Sequence, residues 1–143
     1  MCSAVLPFAW STDFRSTAML VSLSGREQGK FAFLCGTYEF AAVVNSRPIY
    51  KSRKTVPVNY GDIVGKEVLL YFNELALAWV LAVDMGSLNV LGFSFSEEMD
   101  ILKINTPWYI KSDSGFTLDA NVRLEAGMID IMIAHHLLTL TMC

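Results

Sequence analysis

The chain has 143 residues, the size of one ordinary domain, with 53% hydrophobic and 17% charged side chains, more apolar material than a small core needs. The net charge of −3 argues against general nucleic-acid binding, which needs clustered lysine and arginine against phosphates. The surplus apolar surface points instead to a partner chain, a ligand or a lipid surface.

Residues 1–17 read as an irregular leader without period; they carry no basic n-region of a signal peptide. AMLVSLS (18–24) alternates as a strand, with Met19, Val21 and Leu23 on one face. GREQGK (25–30) is a turn, and FAFLC (31–35) reads as a short strand that could pair back on the first. GTYEFAAVVN (36–45) alternates again, with Tyr38, Phe40, Ala42 and Val44 on the buried side. Asn45-Ser46-Arg47-Pro48 is a turn signal, with asparagine initiating and proline fixing φ. Residues 51–66, KSRKTVPVNYGDIVGK, read as a long loop with room for a short edge strand at 56–60.

EVLLYF (67–72) and LALAWVLAV (75–83) predict a hairpin turning at Asn73-Glu74. One buried helix is the rival reading, because Leu and Ala are good helix formers; the β-branched and aromatic residues favour strands. DMGSLN (84–89) is a turn, and VLGFSFS (90–96) is a strand in which Gly92 marks a bulge or a close approach. Ser96 could cap a short helix over 96–105. Strands follow at 108–111 and 122–124. The tail, 128–143, reads as helix or strand, with a lean towards helix, and neither it nor 68–83 is an uninterrupted apolar span of membrane length.

These elements predict one mainly antiparallel β domain over 1–143, with a core over 18–127. It would have seven to eight short strands, as a sandwich or partly open barrel, and at most one or two short helices.

Motif searches for nucleophile elbows, phosphate loops, zinc helices and calcium loops find nothing, so no cofactor and no catalytic activity are expected. Three cysteines, Cys2, Cys35 and Cys143, make neither a disulfide framework nor a zinc site; Cys35, inside FAFLC, is expected to be buried. His135 and His136 are adjacent, which is not the spacing of a two-histidine metal site. Glu97-Glu98 and Asp113 with Asp119 could be posed as acid–base pairs, but their polar turns favour simple solvation. The basic stretch Arg47, Tyr50, Lys51, Arg53 and Lys54 is the best local binding candidate, for an anion or an acidic partner. Its bland alternative is a solvated loop whose lysines protect an edge strand. Tyr50, Tyr71, Trp79 and Trp108 could form an aromatic platform, although aromatics at strand spacing are more often core. Residues 1–72 carry eight basic and five acidic side chains, and residues 73–143 carry three and nine; this asymmetry is either two solvated faces or a steering field.

Gly36, Tyr38, Asn45, Pro48, Tyr50, Leu70, Tyr71, Trp79, Gly92, Pro107 and Trp108 together resemble a small β module of large uncharacterised proteins of protists and marine invertebrates. That module reads G-x-Y, N-G-x-P-x-Y, L-Y-Y, W-x-I, G, P and W in order. The resemblance covers about 36–110. Ser46 departs from the turn glycine, Asn73-Glu74 also lacks one, and the tail has no counterpart. The resemblance implies a binding or structural role. The function expected is thus a non-catalytic interaction or structural module of unknown partner. A β-barrel carrier of a small apolar ligand is the alternative, and an enzyme comes third.

Overall fold

In the computed structural model, residues 18–86 and 89–127 are described. Among these residues nine strands form one antiparallel sheet: β1 (Leu20–Ser24), β2 (Gly36–Val44), β3 (Arg47–Thr55), β4 (Glu67–Asn73), β5 (Ala78–Ala82), β6 (Val90–Ser94), β7 (Trp108–Ser112), β8 (Gly115–Asp119) and β9 (Arg123–Ala126). Their spatial order is β8-β7-β6-β5-β4-β3-β2-β1-β9. The domain is mainly β and antiparallel, as expected, with its described strands in a single sheet and one strand more than the upper expectation of eight. Where the sequence predicts one strand at 122–124, the chain forms two, β8 and β9. The predicted tail and leader lie outside the described residues.

The strand order carries a geometric demand. β8 and β9 stand at opposite edges, yet only residues 120–122 join them. Nine flat strands would set those edges about 38 Å apart, at roughly 4.8 Å per step. The link reaches about 14 Å at full extension. The sheet must therefore curl, and it forms a half-barrel with the main core inside it.

Among the described residues no hydrogen-bonded ladder joins the two edges. Residues 25–30 stretch across the gap instead. Arg26 Nη1 donates to Asp119 Oδ2 at 2.7 Å at one end of β8, and Lys30 Nζ donates to Asp113 Oδ1 at 2.5 Å beyond the other end. Gly25 sits where the link passes: a Cβ there would lie 1.8 Å from the Asn121 carbonyl oxygen, and its φ of +102° suits glycine.

Several local expectations change. FAFLC is not a strand; Ala32–Leu34 form a 3-10 turn entered through Phe31 at φ 64°. Phe31 and Phe33 pack against Tyr60, with ring centroids 5.1 and 4.9 Å from it, so the segment turns inward to join a cluster. The β2–β3 turn is tighter than expected. Asn45 and Ser46 both have positive φ, 52° and 67°, the two-residue hairpin geometry whose twist matches that of the strands. Arg47 and Pro48 already belong to β3. Within β2 the register shifts between Phe40 and Ala42, so Tyr38 is buried while Ala42 and Val44, expected beside it, are exposed.

Residues 51–55 are strand, not loop, and β3 lies between β2 and β4, not at an edge. Lys51 pairs with Leu69 and Thr55 with Glu67, so three residues of β3 face one of β4. That bulge disturbs the alternation a strand reading needs. Val56 is buried next to a 3-10 turn (Gly61–Ile63) and is not in an edge strand. Residues 67–83 are the hairpin and not the helix, with a four-residue connection. Asn73 Oδ1 accepts from the amides of Leu75 (3.0 Å) and Ala76 (3.1 Å), and Leu77 turns the chain at φ 53°. No α-helix starts at Ser96; its hydroxyl accepts from the Glu98 amide, and Asp100 caps one 3-10 turn at Ile101–Lys103. Gly92 is a close approach: a Cβ would meet Ile110 Cδ1 at 2.9 Å and the Tyr109 carbonyl at 3.1 Å.

The inner face is filled by Tyr38, Tyr50, Trp79, Leu70, Leu81 and Leu91, each at most 1% exposed, with Trp108 and Ile110. The buried tyrosines end in hydrogen bonds at the rim, Tyr38 Oη to the Leu34 carbonyl (2.6 Å) and Tyr50 Oη to the Ala18 carbonyl (2.9 Å), so their burial leaves no hydroxyl unpaired. Burial pushes the Tyr38 phenol well above its ordinary value.

Two predictions test closure and core. Gly25→Ala should cost roughly 3 kcal/mol, because backbone lies where the methyl must go. Gly29→Ala, also at positive φ but with nothing within 4 Å, should cost only about 1 kcal/mol; urea denaturation of both variants separates the two effects. The folded state holds the Tyr38 proton, whereas the unfolded chain releases it near the ordinary tyrosine value of 10.0. Stability contributed by Tyr38 is thus intact below that pH and falls as pH rises above it. Tyr38→Phe should lose about 1–2 kcal/mol at pH 7 and show a shallower alkaline decline in chemical denaturation.

Candidate interaction surfaces

The basic stretch does not converge on a ligand. Along β3 its side chains leave on alternate faces, and each finds a partner within the chain. Lys51 lies 3.5 Å from Glu67, Arg53 Nε donates to Glu39 at 2.5 Å, and Lys54 Nζ donates to the Cys35 carbonyl at 2.8 Å. The first two are half-exposed pairs of small energetic weight. Arg47 is set apart at the hairpin end. Its guanidinium lies 3.6 Å from the centroid of the Phe72 ring, and its Nη1 donates to the Glu98 carbonyl at 2.8 Å.

The aromatic platform is corrected more sharply. Tyr50, Tyr71, Trp79 and Trp108 are all buried, at 3% exposure or less. Trp79 Nε1 donates to the same Glu98 carbonyl (2.9 Å) that Arg47 holds, so core and surface grip one point of the loop after β6. Tyr71 faces the outer side of the sheet, where its hydroxyl donates to the Asp84 carbonyl (3.3 Å) and accepts from the Gly86 amide (2.9 Å). None of the four offers a free ring to a sugar or peptide.

Cys35 is buried, as expected, and burial pushes its thiol up. Asp113 and Asp119 are no acid–base pair; each holds one end of the 25–30 strap, and Asp119 is largely buried. His135, His136, Cys2 and Cys143 lie outside the described residues. Among the described residues no three His, Cys, Asp or Glu side chains gather as metal ligands would, and no helix is long and apolar enough to cross a membrane.

A surface that sequence reasoning missed lies on the outside of the half-barrel. Register places Ala42, Ile49, Tyr71, Val80, Phe93, Tyr109 and Leu118 in one row across β2 to β8. The middle of this row, with Ala78 and Ala82, forms a second apolar cluster separate from the inner core. Its β8 end opens into an aromatic patch. Phe93 stacks on Phe116 and meets Tyr109 edge-on, both at 5.1 Å, and Phe95 lies 5.1 Å from Phe93. Phe95 is 57% exposed, Phe116 46% and Leu118 51%. The alternation F-S-F at 93–95 and F-T-L at 116–118 is the sequence signal; 93–95 was legible as strand but not as to which face the core would take, and 116–118 was not read as strand.

A third feature is a cleft of about 240 Å³ where the β2–β3 and β4–β5 turns meet the start of the β5–β6 connection. Comparisons with protein-family models, curated proteins and solved structures gave no match.

Arg47→Ala should lower stability by about 1–2 kcal/mol, through the lost ring contact and hydrogen bond. Lys51→Ala should fall within about 0.5 kcal/mol of the parent. Thermal melts of the two variants distinguish a structural arginine from a uniform basic patch.

Proposed function

We propose that this chain is a non-catalytic interaction module whose main contact face is the outer aromatic patch of Phe93, Phe95, Tyr109, Phe116 and Leu118. The single observation behind this reading is the exposure of Phe95 and Phe116, each with its ring 5.1 Å from that of Phe93, on the outer face of the sheet away from the inner core. Large exposed apolar patches on folded domains mark contact sites, and clustered aromatic rings are favoured anchors in them. In fold terms the reading is of a partly open barrel, its edges strapped by ion pairs, that presents the convex side of β6–β8.

The filled inner face speaks for this reading over an apolar-ligand carrier. Side chains at or near zero exposure have no probe-sized void beside them, and a carrier would line a cavity with them. The resemblance to protist and marine-invertebrate β modules enters here as well. Tyr50, Tyr71, Trp79 and Trp108, which help to define it, are core residues in this chain. The resemblance therefore bears on a common fold and not on a common ligand.

The test is a double substitution, Phe95→Ser with Phe116→Thr, both at half-exposed positions. The variant should keep its circular dichroism spectrum and bind far less of the hydrophobic dye ANS. It should also lose, by tenfold or more, the affinity for any partner recovered by cross-linking from a photoreactive residue at Leu118. Undiminished partner affinity in the folded variant would refute the assignment of this face.

A further inference from the structure

The cleft at the hairpin tips combines apolar and charged walls. Leu75 stands on its rim and is 100% exposed, while Val44 and Met85 add further exposed apolar wall. Leu75 is held out firmly, because Asn73 Oδ1 fixes the amides of Leu75 and Ala76 and Leu77 closes the turn in left-handed geometry. Glu74 and Arg47 line the same cleft with opposite charges. Neither takes part in an ion pair among the described residues.

A patch that bears a projecting apolar side chain, a recess to receive one and one charge of each sign is complementary to itself. In an isologous contact, residue i meets j while j meets i. The two-fold axis then brings unlike charges together and keeps like charges apart. The recess is large enough: an apolar cavity of roughly 150 Å³ takes up benzene, and this one exceeds that, so an isobutyl group fits. We propose that the occupant of the cleft is a second copy of this chain, in a two-fold dimer. Leu75 of each copy enters the cleft of the other, and Glu74 of each faces Arg47 of the other. The patch is small beside the about 1,200–2,000 Å² of a standard interface, so the dimer is a weak one, with a Kd in the micromolar range. This dimer does not depend on the aromatic patch, which lies on another part of the sheet.

Sedimentation equilibrium of the full chain over about 5–500 μM, a range spanning weak dimer affinities, tests it. The expected result is a monomer–dimer equilibrium. Leu75→Asp and Glu74→Arg should each weaken it at least tenfold with unchanged circular dichroism, while Leu75→Met retains it. Phe95→Ser with Phe116→Thr should leave the equilibrium untouched, which separates failure of this proposal from failure of the patch assignment. A monomer throughout the range overturns the proposal. So does a dimer indifferent to Leu75→Asp, which would place self-association elsewhere, as does binding at Leu75 of a small acid or foreign peptide by a chain that stays monomeric.

Discussion

Three residues, 120–122, join strands at the two ends of a nine-strand order. Their short reach converts a meander that could lie open into a curled sheet with an inside and an outside. The inside must then be filled, and large buried side chains from β1 to β7 fill it. The closing edges do not pair through backbone, so the gap falls to side chains. Arg26 and Lys30 reach across to Asp119 and Asp113, and Gly25 clears the path of the link. These contacts tie the edge strand β8 to the segment after β1, where an open antiparallel sheet otherwise presents an unpaired edge.

This arrangement gives the charge asymmetry of the chain a physical use. The basic first half and acidic second half meet in Arg26–Asp119, Lys30–Asp113 and Lys66–Asp84. Arg26–Asp119 is the best placed of these, at 24% and 13% side-chain exposure; the other two are solvated and contribute direction more than energy. Part of the imbalance is therefore matched across the fold, with only Arg26–Asp119 drawn away from solvent. The Glu98 carbonyl plays a comparable part at the opposite region of the sheet. By accepting from both Trp79 and Arg47, it ties the loop after β6 to the centre of the core and to the β3 hairpin end, beside the cleft that Arg47 lines.

The two faces divide the aromatic residues by register alone. Trp79 and Trp108 face inward, whereas Phe93 and Tyr109, in neighbouring strands, face out. In a two-residue period a shift of one position exchanges the faces. The irregularities at Phe40/Ala42, Lys51/Thr55 and Leu81/Ala82 are such shifts. They are why the buried side of β2 was legible at Tyr38 but not at Val44, and why the basic stretch read as a loop.

Local chemistry in the sequence determined that this chain is β-rich and antiparallel, where most of its turns fall, that 67–83 is a hairpin and that Gly92 needs space. Each of these rests on neighbours within a few residues: alternation, β-branched side chains and turn formers. Tertiary structure decided the rest. Which aromatics were core, which were surface, what the lysines and aspartates paired with and where a cleft would form all depend on contacts between segments far apart in the chain. Arg26 and Asp119 are separated by 93 positions, and no local pattern reports that they will meet. They meet because a three-residue link leaves the sheet no other way to close.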